Sequence, residues 1–132
     1  VKAGADRKGT RRAGGFKAAT LFVDVHAGGL LPSGLNYDDV KTVPGVGLVQ
    51  HWRMFMEGKL DVVVAAAGSG FVKQMNAKIS GGVRHISFPD TKEALAAMHK
   101  YFPKTYWSIV KPRKGLTGVR SPTNFVTYDY ML

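Results

Sequence analysis

Residues 58–70 are the stretch around which the chain is organised, Gly58-Lys59-Leu60-Asp61-Val62-Val63-Val64-Ala65-Ala66-Ala67-Gly68-Ser69-Gly70. A helix is predicted to end at Gly58. Residues 60–67 are almost continuously apolar, which predicts a central strand covered on both faces. Gly68-Ser69-Gly70 would close that strand before the next helix. Such a corner either leaves backbone N–H groups available for a ligand or is an ordinary connection, and the local sequence favours neither.

The sequence on both sides of this stretch alternates between strand and helix patterns. Strands are predicted at 10–13, 40–43, 83–88, 105–110 and 123–132, and helices at 16–27, 46–57, 69–79 and from Asp90, which is the predicted N-cap of the last helix. The alternation predicts a single α/β domain over 1–132, with a three-layer architecture and a mainly parallel sheet flanked by helices. No helix separates the last two strands, so one of them can run antiparallel.

Composition and charge narrow the class of protein. The chain has 132 residues and no cysteine, which excludes disulfides and cysteine-based metal sites. No apolar stretch approaches the ~20 residues of a membrane helix. The net charge of +10 permits nucleic acid, an anionic membrane or small acidic molecules as partners. Because the basic residues cluster at the two ends and stand singly between them, a solvated basic surface is favoured over a nucleic-acid groove.

Few residues suggest catalysis or metal binding. The junction Gly14-Gly15-Phe16-Lys17 could hold an anion, but it is neither a Walker loop nor a dinucleotide fingerprint. The histidines do not pair at metal-ligand spacing; His26 and His51 are predicted on polar helix faces, and His99 beside the apolar stripe of its helix. Ser69 does not lie in the Gly-x-Ser-x-Gly elbow of a hydrolase. A Ser-His-Asp arrangement stays open, but these patterns predict no catalytic set, no metal site and no cofactor.

Several motifs resemble one family when they are taken in chain order. The segments are DRKGTR (6–11), LNYDDVK (35–41), FMEGKLDV (55–62) with the following Gly68-Ser69-Gly70, and GVRSPTN (118–124) with YDY (128–130). They resemble segments of the TAXI subgroup of TRAP-transporter solute-binding proteins, and the resemblance spans nearly the whole chain.

The resemblance implies one lobe of a type 2 periplasmic binding protein, with a crossover strand returning near 123–132. Such receptors hold a small carboxylate, such as glutamate or another amino acid or a dicarboxylate, in a cleft between two lobes. They deliver it to the membrane permease subunits of the transporter and are not enzymes, so the resemblance implies that this chain is not an enzyme. The expected location is periplasmic, and the missing first lobe and leader indicate a fragment.

Site residues follow from the resemblance, position by position. The expected ligand-binding residues are Gly15, Phe16, Lys17, Ala18 and Ala19 at one edge of the cleft, Ala67, Gly68, Ser69 and Gly70 at another, and Thr123 and Asn124 where the chain recrosses. Backbone N–H groups of the first set and the Ser69 hydroxyl are expected to contact a carboxylate, and Lys17 is expected to supply charge.

Three alternatives stay open at this point. The net charge motivates a basic nucleic-acid-binding α/β domain, although no nucleic-acid partner is expected under the leading hypothesis. A small enzyme that uses Ser69 or a histidine is the second alternative. The third is self-association of the fragment into a homodimer, because a lobe without its partner exposes apolar surface.

Overall fold

A computed structural model of the protein describes residues 11–14, 37–100 and 102–129. These residues form a mixed α/β structure. Its elements are β1 (Arg11–Gly14), β2 (Lys41–Pro44), α1 (Leu48–Met56), α2 (Gly70–Lys78), α3 (Lys92–His99), β3 (Thr105–Val110) and β4 (Thr123–Tyr128), with a short 3-10 turn at Tyr37–Asp39 before β2. The helix predicted at 16–27 lies outside the described residues.

The strands form two separate pairs. β1 and β2 are parallel, with Arg11 opposite Lys41, whereas β3 and β4 are antiparallel, with Thr105 opposite Tyr128. The prediction of β3 at 105–110 and of an antiparallel final pair is confirmed. Within the described ranges, the pairs do not join into a mainly parallel sheet of three layers.

The prediction of a central strand at 60–67 is wrong, because these residues do not form a regular β-strand. Their backbone pairing with β1 is confined to the N–H groups of Asp61 and Val62, which both donate to the Arg11 carbonyl at 2.9 and 3.4 Å. The Val64 carbonyl accepts a hydrogen bond of 2.9 Å from the Trp52 indole instead. A side chain has therefore taken an acceptor that a strand ladder would use.

The predicted strand at 83–88 is wrong for a similar reason. The Val83 N–H donates to the Asn76 side chain at 3.0 Å, and the Asn124 N–H donates to the Ser87 hydroxyl at 2.9 Å. Backbone hydrogen bonds to described residues run from the His85 N–H to the Gly118 carbonyl and from the Phe88 N–H to the Asn124 carbonyl. Within the described part of the chain, this segment is joined to its neighbours at isolated points and forms no continuous ladder.

The predicted start of α3 needs a correction of one residue. Thr91, not Asp90, is the N-cap, and its hydroxyl accepts a hydrogen bond of 3.1 Å from the Ala94 N–H. Because Glu93 is then only two residues from the cap, it does not have the spacing of a capping box.

The apolar core lies between α1, α2 and the segment after Gly58. Trp52, Val72 and Met75 are its buried centre, and half-buried apolar side chains pack around them. Gly58 has φ 72°, the left-handed conformation predicted for the end of α1. Among the helices in the described ranges, none combines the length and the apolar character needed to cross a bilayer.

The surface position predicted for His51 is wrong. Its side chain is buried, with 1% exposure, and its imidazole packs directly over Gly45. His99 is half-buried, and its Nε2 lies 2.7 Å from the Thr105 carbonyl, which connects α3 to β3. Both histidines therefore serve the packing of α1 and α3 rather than a solvated face.

The contact between Gly45 and His51 predicts a specific sensitivity to side-chain size. A methyl group at position 45 would overlap the imidazole, with ring Cδ2 only 2.7 Å away, while position 47 has no atom within 4 Å of the same methyl. We expect Gly45→Ala to lower the free energy of unfolding by about 1–3 kcal/mol, as overpacking does. Gly47→Ala is the matched control, because the backbone there has φ 176° and is extended.

Urea denaturation of both variants, alone and combined with His51→Ala, measures the effect. The cost of Gly45→Ala should shrink when the imidazole is absent. Equal effects of the two glycine variants would contradict the packing described here.

Desolvation of two imidazoles, one buried and one half-buried, predicts loss of stability in mild acid. Desolvation lowers the pKa of His51 and, with a smaller opposing effect of the hydrogen bond to the Thr117 backbone, that of His85 below the usual 6.5. In mild acid the unfolded chain therefore binds more protons than the folded chain. The free energy of unfolding should fall as the pH drops below about 6.5. Urea denaturation between neutral and mildly acidic pH measures the change in stability, and proton NMR titration of the imidazoles measures the two pKa values. A pKa at or above 6.5 for both histidines would refute the prediction.

Candidate functional site: an exposed corner before helix α2

The corner at residues 66–70 is an exposed tight turn. The Ser69 N–H donates to the Ala66 carbonyl at 3.1 Å, and Gly68 has φ 81°, a conformation that favours glycine. Ala66, Ala67, Gly68 and Gly70 are all exposed, and Ser69 is half-buried. The turn therefore presents its backbone to the solvent, which satisfies the first requirement for a ligand held by backbone groups.

Helix α2 begins immediately after this turn. Ser69 is its N-cap, and the hydroxyl oxygen accepts a long hydrogen bond of 3.4 Å from the Val72 N–H. The N–H groups of Gly70 and Phe71 precede the first helical acceptor, and no described residue accepts a hydrogen bond from them. Lys73, one turn along the helix, is exposed. Backbone donors, the positive end of the helix dipole and one cation thus lie in one place.

Trp52 fixes the position of the corner. Its indole Nε1–H donates to the Val64 carbonyl at 2.9 Å, and its ring lies 4.1 Å from the Phe71 ring at an angle of 34°. The same side chain therefore holds the segment that enters the turn and the first helical residues that leave it. On the other side, Leu116 lies 3.5 Å from where a side chain at Gly68 would begin.

An ion pair anchors the far end of the entering segment. The Arg11 Nη2 lies 2.7 Å from Asp61 Oδ1, and the Arg11 Nε and backbone N–H both donate to Oδ2, at 3.1 and 2.7 Å. These hydrogen bonds, together with the charge of Arg11, lower the pKa of Asp61. Asp61 is thus a paired carboxylate that ties the segment to β1. Sequence reasoning missed its partner because the two residues are 50 positions apart.

Thr123 and Asn124 lie in the interior rather than at a surface. Their exposures are 3% and 4%, and the Thr123 hydroxyl donates to the Ser121 carbonyl at 2.8 Å. The Asn124 Nδ2 donates to the Phe88 carbonyl at 3.4 Å, while its Oδ1 is buried with no hydrogen-bond partner among the described residues. Hydrogen bonds of these two residues connect β4 to segment 83–88 and to its own preceding turn, and none reaches the corner at Ser69.

The predicted site residues therefore divide into three sets. Ala67, Gly68, Ser69 and Gly70 come together as one exposed corner, whereas Thr123 and Asn124 are inside the structure. The five residues predicted for the other edge of the cleft lie outside the described residues: Gly15, Phe16, Lys17, Ala18 and Ala19. In the part of the chain that the structure describes, no cluster of three histidine or carboxylate side chains could hold a metal ion.

The corner thus presents backbone N–H donors at the start of a helix. Sequence comparison with protein-family models and with characterised proteins finds no significant match.

Proposed function

We propose that this chain is a ligand-binding lobe that holds a small carboxylate, such as glutamate or a dicarboxylate, at the start of α2. The observation that carries the proposal is the exposed, serine-capped N-terminus of this helix, which follows a left-handed turn at Gly68. Both the donors and their accessibility come from this single feature.

The chemistry of a carboxylate suits this corner. Each of its oxygens accepts hydrogen bonds, and the N–H groups of Gly70 and Phe71 are available donors. The Ser69 hydroxyl can donate its proton to the ligand while its oxygen still accepts from the Val72 N–H. A negative charge at this end of the helix also gains about 0.3–1 kcal/mol from the dipole, and Lys73 adds attraction.

We also propose the class of protein to which this lobe belongs. The ordered resemblance to TAXI-type receptors favours a periplasmic protein that passes its ligand to the permease subunits of a TRAP transporter. In that arrangement, a mainly parallel sheet of three layers would form one lobe, and a second lobe would close over the ligand. A cleft of this kind encloses most of the ligand surface, so one lobe alone should bind weakly.

Calorimetric titration with L-glutamate at about 0.15 M ionic strength tests the corner. We expect a dissociation constant in the millimolar range, which corresponds to a binding free energy of about −4 kcal/mol. Ser69→Ala should weaken binding roughly tenfold, because a hydrogen bond to a charged group contributes about 1.5–3 kcal/mol. Ser69→Thr keeps the hydroxyl and should bind nearly as well as the original chain.

Ser80→Ala, at an exposed serine beyond the other end of α2, is the matched control. Thermal denaturation checks that each variant is folded, since loss of a cap costs about 0.5–2 kcal/mol. Submicromolar binding by this chain would contradict the single-lobe interpretation, and equal effects of the two alanine variants would contradict the site.

A further inference from the structure

Residues 94–128, in the last third of the chain, carry a local excess of positive charge. They contain six lysines and arginines but no aspartate or glutamate. Three of these cations, Lys111, Arg113 and Lys114, follow β3 directly and are exposed. No salt bridge involves them within the described ranges, although the Asp61 and Glu57 carboxylates are both paired with cations.

The loop that carries these cations has a defined shape. The Leu116 N–H donates to the Arg113 carbonyl at 3.1 Å, and Gly115 has φ 87°, so a tight turn closes the basic segment. At the other end, the pairing of Val110 with Thr123 fixes where the loop leaves the sheet. The cations are therefore presented by a constrained loop at one end of the β3–β4 pair.

The last two residues of β3, Ile109 and Val110, add an apolar component next to this loop. Ile109 is 60% exposed, although it lies on a paired strand. An open concavity of about 320 Å³ is lined by Ile109, Val110, Lys111, Pro112 and Arg113. We call these five residues with Lys114 the basic loop. It combines aliphatic walls with cations, and no carboxylate or aromatic ring lines it.

We propose that the basic loop docks onto an anionic phospholipid surface. Each lysine or arginine near such a surface contributes about 1 kcal/mol, and an aliphatic side chain gains by entering the region between headgroups. Nucleic acid fits this loop less well, because single strands are recognised by stacking on aromatic rings and phosphates alone give Ile109 no role. This inference does not depend on the carboxylate site.

Co-sedimentation of the whole chain with phosphatidylglycerol–phosphatidylcholine vesicles tests the proposal. Binding should be clear at about 0.15 M ionic strength, should be lost near 1 M, and should be absent with pure phosphatidylcholine. The double variant Lys111→Glu and Arg113→Glu should bind at least roughly 30-fold more weakly, because each cation lost costs about fivefold and the new carboxylates repel the surface. Ile109→Thr, which keeps the branched shape, should weaken binding without changing the charge.

The matched control is Lys73→Glu with Lys92→Glu, two exposed lysines on α2 and α3. Each double variant lowers the formal net charge from +10 to +6, so a difference between them isolates the position of the charges. Circular dichroism establishes that all variants are folded. The proposal is overturned if the chain ignores the anionic vesicles, if both double variants lose binding equally, or if Ile109→Thr has no effect. Tighter binding to single-stranded RNA than to vesicles, with the same dependence on Lys111 and Arg113, would overturn it in favour of a nucleic-acid surface.

Discussion

The hydrogen bond from the Trp52 indole to the Val64 carbonyl is the interaction on which the candidate site depends. It is worth about 0.5–1.5 kcal/mol by itself, and the contact between the Trp52 and Phe71 rings adds an aromatic pair of similar size. Because Trp52 belongs to α1 while Val64 and Phe71 flank the corner, one buried side chain fixes both arms of the turn. Ser69 and the exposed amides of α2 are positioned as a consequence.

The parts of the fold that depend on local chemistry could be predicted from the sequence. β3 was predicted at its observed bounds, since β-branched and aromatic residues dominate 105–110. The end of α1 followed from Gly58, which adopts the left-handed conformation that a helix terminus requires. The strands expected at 60–67 and 83–88 failed because the Trp52 and Asn76 side chains take backbone partners there. An apolar run indicates burial, but it does not indicate which group satisfies each carbonyl.

Only one part of the candidate site, the turn at Gly68 and Ser69, could be predicted from the sequence. Glycines around Ser69 indicated the corner, because they permit the conformation at Gly68. Burial of His51 had no local signal, since it depends on Gly45 lying against the imidazole after the chain folds. The interior position of Asn124 likewise follows from its pairing with segment 83–88. Tertiary packing decides which distant segments lie next to each other, and local sequence patterns do not indicate that packing.

Residue-resolved NMR titration with L-glutamate tests the central claim most directly, because each amide at the corner has its own signal. We expect saturable shifts that are largest for the N–H groups of Gly70 and Phe71, with small shifts at the exposed lysines of α2 and α3. Shifts that are spread over the basic surface, or an unchanged pair of corner amides at saturating ligand, would contradict the claim.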